Sequence, residues 1–137
     1  MFLIDTNVIS EARRGPQANF GVRDFFRGAD ADETFLAAIT LGELRRGVEK
    51  VHFLGDAPQA RLLAQWLARV EQKFAGRVLS FDADCAHVWG RLMAPHPQHP
   101  IDKQIAAIAL IHDLTVVTRN AADFAETGVK LLNPFSA

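Results

Sequence analysis

The 137 residues provide enough chain for one hydrophobic core and too little for a second domain, so residues 1–137 read as one domain. Hydrophobic residues at 49% and charged residues at 23% exclude the disordered class, and a net charge of −1 excludes a global positive field that would draw the chain onto nucleic acid. One cysteine, Cys85, excludes an internal disulfide; with no basic leader, no apolar run near the ~20 residues of a membrane span and Asp5 interrupting the apolar start, a cytoplasmic protein is expected.

Phe2 to Ile4 is a short apolar run stopped by Asp5-Thr6-Asn7, which predicts a buried strand passing into a helix from about Val8 to Arg14, ended by Gly15-Pro16. A short helix over Val22 to Arg27 follows, then a strand over Thr34 to Ile39. Thr40 and Glu43 form a T-x-x-E pattern that predicts a capping box for a helix reaching about Val51. Pro58 to Phe74 carries Leu62, Leu63, Trp66, Leu67 and Val70 at helical spacing, with Gly76 beyond its end. Val78 to Phe81 reads as a strand, and Asp82 as the cap of a helix through about Met93. Pro95, Pro97 and Pro100 forbid a regular helix and mark a loop. Ile101, Ile105, Ile108 and Ile111 then repeat near the helical period, before strands at Thr115 to Val117 and near Val129 to Leu132. Four or five short strands separated by helices predict an α/β fold with a mostly parallel, buried sheet covered on both faces. Sites in such sheets form beyond the carboxyl ends of the strands.

Asp5, Glu43 and Asp102 each stand where a strand gives way to a helix or where a helix begins. Each also has a structural reading: Asp5 as an N-cap, Glu43 as the reciprocal member of the capping box, Asp102 as a favourable charge in a first helical turn. Parallel strands would bring all of them to one sheet edge. Carboxylates gathered there repel one another unless a cation neutralises them, and an all-oxygen set suits Mg²⁺ or Mn²⁺. The rest of the candidate chemistry is weaker. His96 and His99 flank Pro97 in the loop without Cys/His ligand spacing, so zinc is not expected. Ser80 lacks a G-x-S-x-G context, Cys85 lacks a nucleophile signature, and Asp82 and Asp84 read as helix-capping acids. Trp66 and Trp89 sit in helical apolar patterns and read as core or subunit contacts. Arg13-Arg14 and Arg45-Arg46 are adjacent pairs, whereas Arg77, Arg91, Lys103 and Arg119 are scattered singly as ordinary surface charge.

Four segments in order, FLIDTNVISE, AAITLGELRRGV, IDKQIAAIAL and VVTRNAADFAETGVKLLNPF, resemble the successive motifs of VapC-type PIN-domain toxins and span nearly the whole chain. The resemblance implies a PIN-like α/β/α sandwich that cleaves RNA with Mg²⁺ or Mn²⁺. Asp5, Glu43 and Asp102 fall on the family's first three acids. Its fourth position, often Asp, is Asn120 here, and Asp123, one helical turn further on, is the candidate replacement. On this reading Asp5 and Asp102 hold the metal, Glu43 coordinates it or orients an attacking water, and Arg45, Arg46 and Arg119 are candidate phosphate contacts. The resemblance further implies a homodimer, a VapB-type antitoxin whose C-terminal segment blocks the cleft, and structured RNA, tRNA or rRNA, as substrate. Two rivals stand beside it. Asn120 would suit a catalytically silent PIN-like module that binds RNA or antitoxin, and Asp5 would serve as a phospho-acceptor if Asp5-Thr6-Asn7 did not lack the D-x-D pair of that chemistry.

Overall fold

The computed structural model describes residues 1–136. Its strands are β1 (Phe2–Ile4), β2 (Thr34–Ala37), β3 (Val78–Leu79), β4 (Thr115–Val117) and β5 (Lys130–Leu132). Its helices are α1 (Thr6–Ala12), α2 (Phe20–Gly28), α3 (Ala38–Phe53), α4 (Ala57–Lys73), α5 (Ala83–Met93) and α6 (Pro100–His112). All strand pairs are parallel, in the order β3-β2-β1-β4-β5. The expected mostly parallel sheet with helices on both faces is therefore what the chain forms.

Strand alternation explains how so few residues cover two faces. Leu3, Ala37 and Val116 point to one side, where they meet Cys85 of α5, Ile105 and Ile108 of α6, and Phe124. Ile4, Leu36 and Val117, their chain neighbours, point to the other, against Val8 and Ile9 of α1, Val22 of α2, Leu44 and Val48 of α3, and Leu67 and Val70 of α4. The chain order carries β1 to β2 and β3 on one side, then returns through α5 and α6 to β4 on the opposite side of β1. That reversal makes the carboxyl ends of β1 and β4 the topological switch point, where a crevice opens in doubly wound sheets. Among the described residues no helix is long and apolar enough to cross a membrane.

Several local expectations need correction. The predicted capping box does not form: α3 begins at Ala38 with Ala37 as an N-cap that makes no side-chain hydrogen bond, so Thr40 lies inside the helix and Glu43 in its second turn. Packing of the β2–α3 corner overrides the local signal, and Thr40 is fully buried with its hydroxyl unpartnered. The strand expected through Ile39 ends at Ala37, and that expected through Phe81 ends at Leu79. Of the isoleucine repeat in α6, Ile105 and Ile108 are fully buried while Ile101 and Ile111 are exposed. Lys103, expected on the surface, is buried, and its ammonium donates to the Gln98 carbonyl.

Candidate metal centre

Register places the first two functional side chains. Phe2, Leu3 and Ile4 pair with Thr115, Val116 and Val117, so the next residues on each strand, Asp5 and Thr118, come side by side at the carboxyl edge. The ladder continues one step further, with the Asp5 N–H donating to the Val117 carbonyl at 2.9 Å. The parity that turns Leu3 and Val116 toward α6 turns Asp5 and Thr118 the same way, and the Thr118 hydroxyl donates to Asp5 Oδ2 at 2.7 Å.

Asp5 is buried, and both of its oxygens are held. Oδ1 caps α1 by accepting the Thr6 N–H at 2.8 Å, and Oδ2 also accepts the Asn7 amide at 3.2 Å. Capping and site formation are thus compatible roles for one carboxylate. Burial raises its pKa above the ordinary aspartate value, against the lowering effect of those hydrogen bonds and with a smaller contribution from the nearby charge of Asp123. Glu43 reaches across from α3, where Oε1 accepts the Thr6 hydroxyl at 2.5 Å. Burial lifts its pKa too, with the charge of Asp5 acting in the same sense while the Thr6 hydroxyl and Arg46 oppose it.

Asp102 projects from the first turn of α6. Burial, then the charges of Asp5 and Asp123, and more weakly that of Glu43, push its pKa up to about 6. His99 opposes that rise. His99 precedes α6 in a left-handed conformation, φ 54°, and its Nε2 lies 3.5 Å from Asp123 Oδ1. Donor atoms of His99, Asp102 and Asp123 all lie within 4.8 Å of one another. Among the described residues, no Lys or Arg forms an ion pair with Asp5, Glu43, Asp102 or Asp123. Asp5, Glu43 and Asp102, whose pKa values are raised by burial and by neighbouring carboxylates and only partly offset by Arg46 and His99, fit a hard divalent cation, which would supply further positive charge.

The fold therefore gathers Asp5, Glu43, Asp102 and Asp123, with Asp102 within electrostatic reach of the other three. Asn120 takes a different place. It is exposed, its backbone N–H donates to the Thr118 hydroxyl at 3.0 Å, and its side chain caps nothing. The three candidate arginines diverge. Arg46 lies close enough to Glu43 to lower its pKa, whereas the Arg119 guanidinium stacks 4.7 Å from the Phe135 ring centroid, and the Arg119 backbone N–H donates to Asn7 Oδ1 at 3.0 Å. Arg45 lines a groove between α3 and α4 with His52 and Arg61, and none of the four acids borders that groove.

Thr6, Asn7, Thr118 and His99 were not among the residues singled out from sequence for the site. The first three lie directly beyond apolar strands, which was the available signal. For His99, like His96 a loop residue with no accompanying Cys/His ligand spacing, the sequence offers no such signal; in space it meets Asp102 of α6 and Asp123 of the turn after β4.

Comparison with known proteins agrees with this architecture. The PIN domain family model matches residues 2–130. The chain is 36% identical to Toxin FitB of Neisseria gonorrhoeae, over 98% of this chain and 99% of the relative. It is 31% identical to VapC ribonuclease Y4jK of Sinorhizobium fredii, over 98% of each. In the crystal structure of FitAcB from Neisseria gonorrhoeae, a chain with 35% identity superposes with a TM-score of 0.85, covering 98% of both chains. With the family match over residues 2–130 including Asp5, Glu43, Asp102 and Asp123, this chain belongs to the PIN-domain family and is a homologue of the FitB toxin and of a VapC ribonuclease.

Proposed function

We propose that this chain is a metal-dependent endoribonuclease and the toxin of a VapBC-type toxin-antitoxin pair, with residues 1–137 acting as one PIN domain on structured RNA, tRNA or rRNA. The observation that carries the reading is the set of acids gathered at the β1/β4 switch point, none of them in an ion pair with Lys or Arg among the described residues. Similarity to a VapC ribonuclease supports the nuclease activity, and similarity to the FitB toxin supports the biological role.

Asp5 and Asp102 would hold Mg²⁺ or Mn²⁺, with Glu43 as a third oxygen donor. A divalent cation held by these residues would supply positive charge toward the scissile phosphate and make a neighbouring water more acidic. Thr118 and Asn7 fix the Asp5 carboxylate through its Oδ2, and Thr6 fixes Glu43. A half-buried Glu43 with a raised pKa suits a general base that orients water. Arg46, whose charge reaches Glu43, would with Arg119 and Arg45 contact the phosphate backbone, positioning RNA without reading its bases. Asp123 would provide the charge that Asn120 lacks. A VapB-type antitoxin, a homodimeric assembly and a cytoplasmic location complete the proposal.

The test is cleavage of a total tRNA and rRNA pool with Mn²⁺ and with EDTA, mapped by end sequencing. Wild type should cut at defined sites only with metal, and Asp5→Asn or Asp102→Asn should lower the rate by about 100-fold or more. No cleavage in any condition would favour the alternative that Asn120 raises, a catalytically silent module that binds RNA or antitoxin.

A further inference from the structure

The acidic crevice does not end at the four carboxylates. His99 is placed at its rim by backbone constraints from both sides. Pro100 opens α6, and the His99 carbonyl accepts the first helical bond, from the Lys103 N–H at 3.0 Å. Held at φ 54°, the residue sends its imidazole to the short 3₁₀ turn Ala121–Phe124, where Nε2 lies 3.5 Å from Asp123 Oδ1. A cleft of about 250 Å³ beside it is lined by Gln98, His99, Lys103, Asp123, Glu126 and Thr127.

Two readings of the contact differ in chemistry. A plain ion pair between a side chain 49% exposed and one 34% exposed contributes little to stability and needs no third group. The third group is nonetheless present, because Asp102 brings a carboxylate oxygen within 4.8 Å of both donors. Cis ligands of an octahedral ion with bonds near 2.1 Å are about 3.0 Å apart and trans ligands about 4.2 Å. The three donors therefore need to contract only slightly to share one ion. The obvious internal competitor is absent: the buried ammonium of Lys103, next to Asp102 in the chain, is directed to the Gln98 carbonyl.

We infer that His99, Asp102 and Asp123 form a nitrogen-containing subsite for a divalent metal, sharing Asp102 with the all-oxygen set of Asp5 and Glu43 and favouring Mn²⁺ over Mg²⁺. The inference rests on the metal-dependent reading above and deepens it. Imidazole suits transition metals, whereas Mg²⁺ takes oxygen donors and keeps its waters. His99 thus supplies a preference that carboxylates by themselves do not. It also ties the metal to the 3₁₀ turn carrying Asp123, the acid outside the family's usual fourth position.

The test is Mn²⁺ binding to the full chain followed by continuous-wave and pulsed electron paramagnetic resonance, which detects a directly bonded ¹⁴N nucleus. Wild type should show ¹⁴N modulation, retained in His96→Gln and lost in His99→Gln. Loss of the imidazole should weaken Mn²⁺ binding by about 10-fold, while Mg²⁺ affinity measured by competition changes far less. Bound Mn²⁺ without ¹⁴N modulation, or modulation that persists in His99→Gln, overturns the role of His99 and leaves the metal centre of Asp5, Glu43 and Asp102 standing. Absence of Mn²⁺ binding overturns both, and RNA cleavage that survives EDTA overturns the metal-dependent reading by itself.

Discussion

Asp102 illustrates how one carboxylate carries both a cost and a use. Its pKa lies near 6 because burial and the charges of Asp5 and Asp123 disfavour ionisation. Below about pH 4 the group is protonated in folded and unfolded chains alike, so it imposes no penalty. Between about pH 4 and 6 the folded chain keeps a proton that the unfolded chain releases, and stability falls as pH rises. Above pH 6 the penalty is complete. In EDTA, Asp102→Asn should therefore stabilise the protein by about 1 to 2 kcal/mol at pH 7.5, allowing for solvent screening, and by little at pH 4. Thermal melts at the two pH values measure this, and an equal effect at both would show that charge is not the cause. The same substitution should abolish activity, the trade expected where a site holds like charges together for a cation.

Helix α3 makes the corresponding point about a whole segment. Its predicted start rested on Thr40 and Glu43 as a capping box, yet the helix begins two residues earlier than Thr40, at Ala38. Thr40 is consequently buried with a hydroxyl that finds no partner. Thr40→Val keeps the branched shape and removes the unsatisfied oxygen, so it should raise unfolding free energy by about 1 kcal/mol in a denaturant titration. A loss of stability would mean that the hydroxyl has a partner. Displacing Glu43 into the second turn also frees its carboxylate from backbone capping and lets it meet Thr6 across the crevice. Helix α2 depends on close approach instead: a Cβ on Gly21 would lie 2.0 Å from the Pro134 carbonyl oxygen. Gly21→Ala should therefore release residues 134–136 from α2 and cost about 1 to 3 kcal/mol, read by chemical denaturation and by faster proteolysis of the C-terminus.

Across the molecule, the sheet's switch point gathers acids from β1, α3, α6 and the turn after β4, and no single segment holds the centre. Metal binding should accordingly stabilise the entire fold. At a free Mn²⁺ concentration 100 times its dissociation constant the gain should be about 2.7 kcal/mol, visible as a higher Tm that EDTA reverses. Asp5→Asn should lose most of that gain, since Asp5 is the buried member of the set. An unchanged Tm would remove the case for a folded-state metal site.

Much of this architecture is written locally. Apolar runs such as Phe2 to Ile4 and Thr115 to Val117 announce strands, Asp5 is marked by its place just beyond one of them and Asp102 by the helix start after Pro100, because burial pattern and chain punctuation act over a few residues. The order of strand and helix likewise announced a parallel sheet. Other features depend on groups remote in the chain. Thr118 became a site residue through its register with Asp5, Lys103 was buried by its neighbours in space, Arg45 was carried to a different groove from Arg46, and His99 met Asp123 across a helix start. Local pattern governs which segments become strands and helices; side-chain meetings at the crevice are set by sheet register and by the packing of α3 and α6, energies that exist only once distant segments touch.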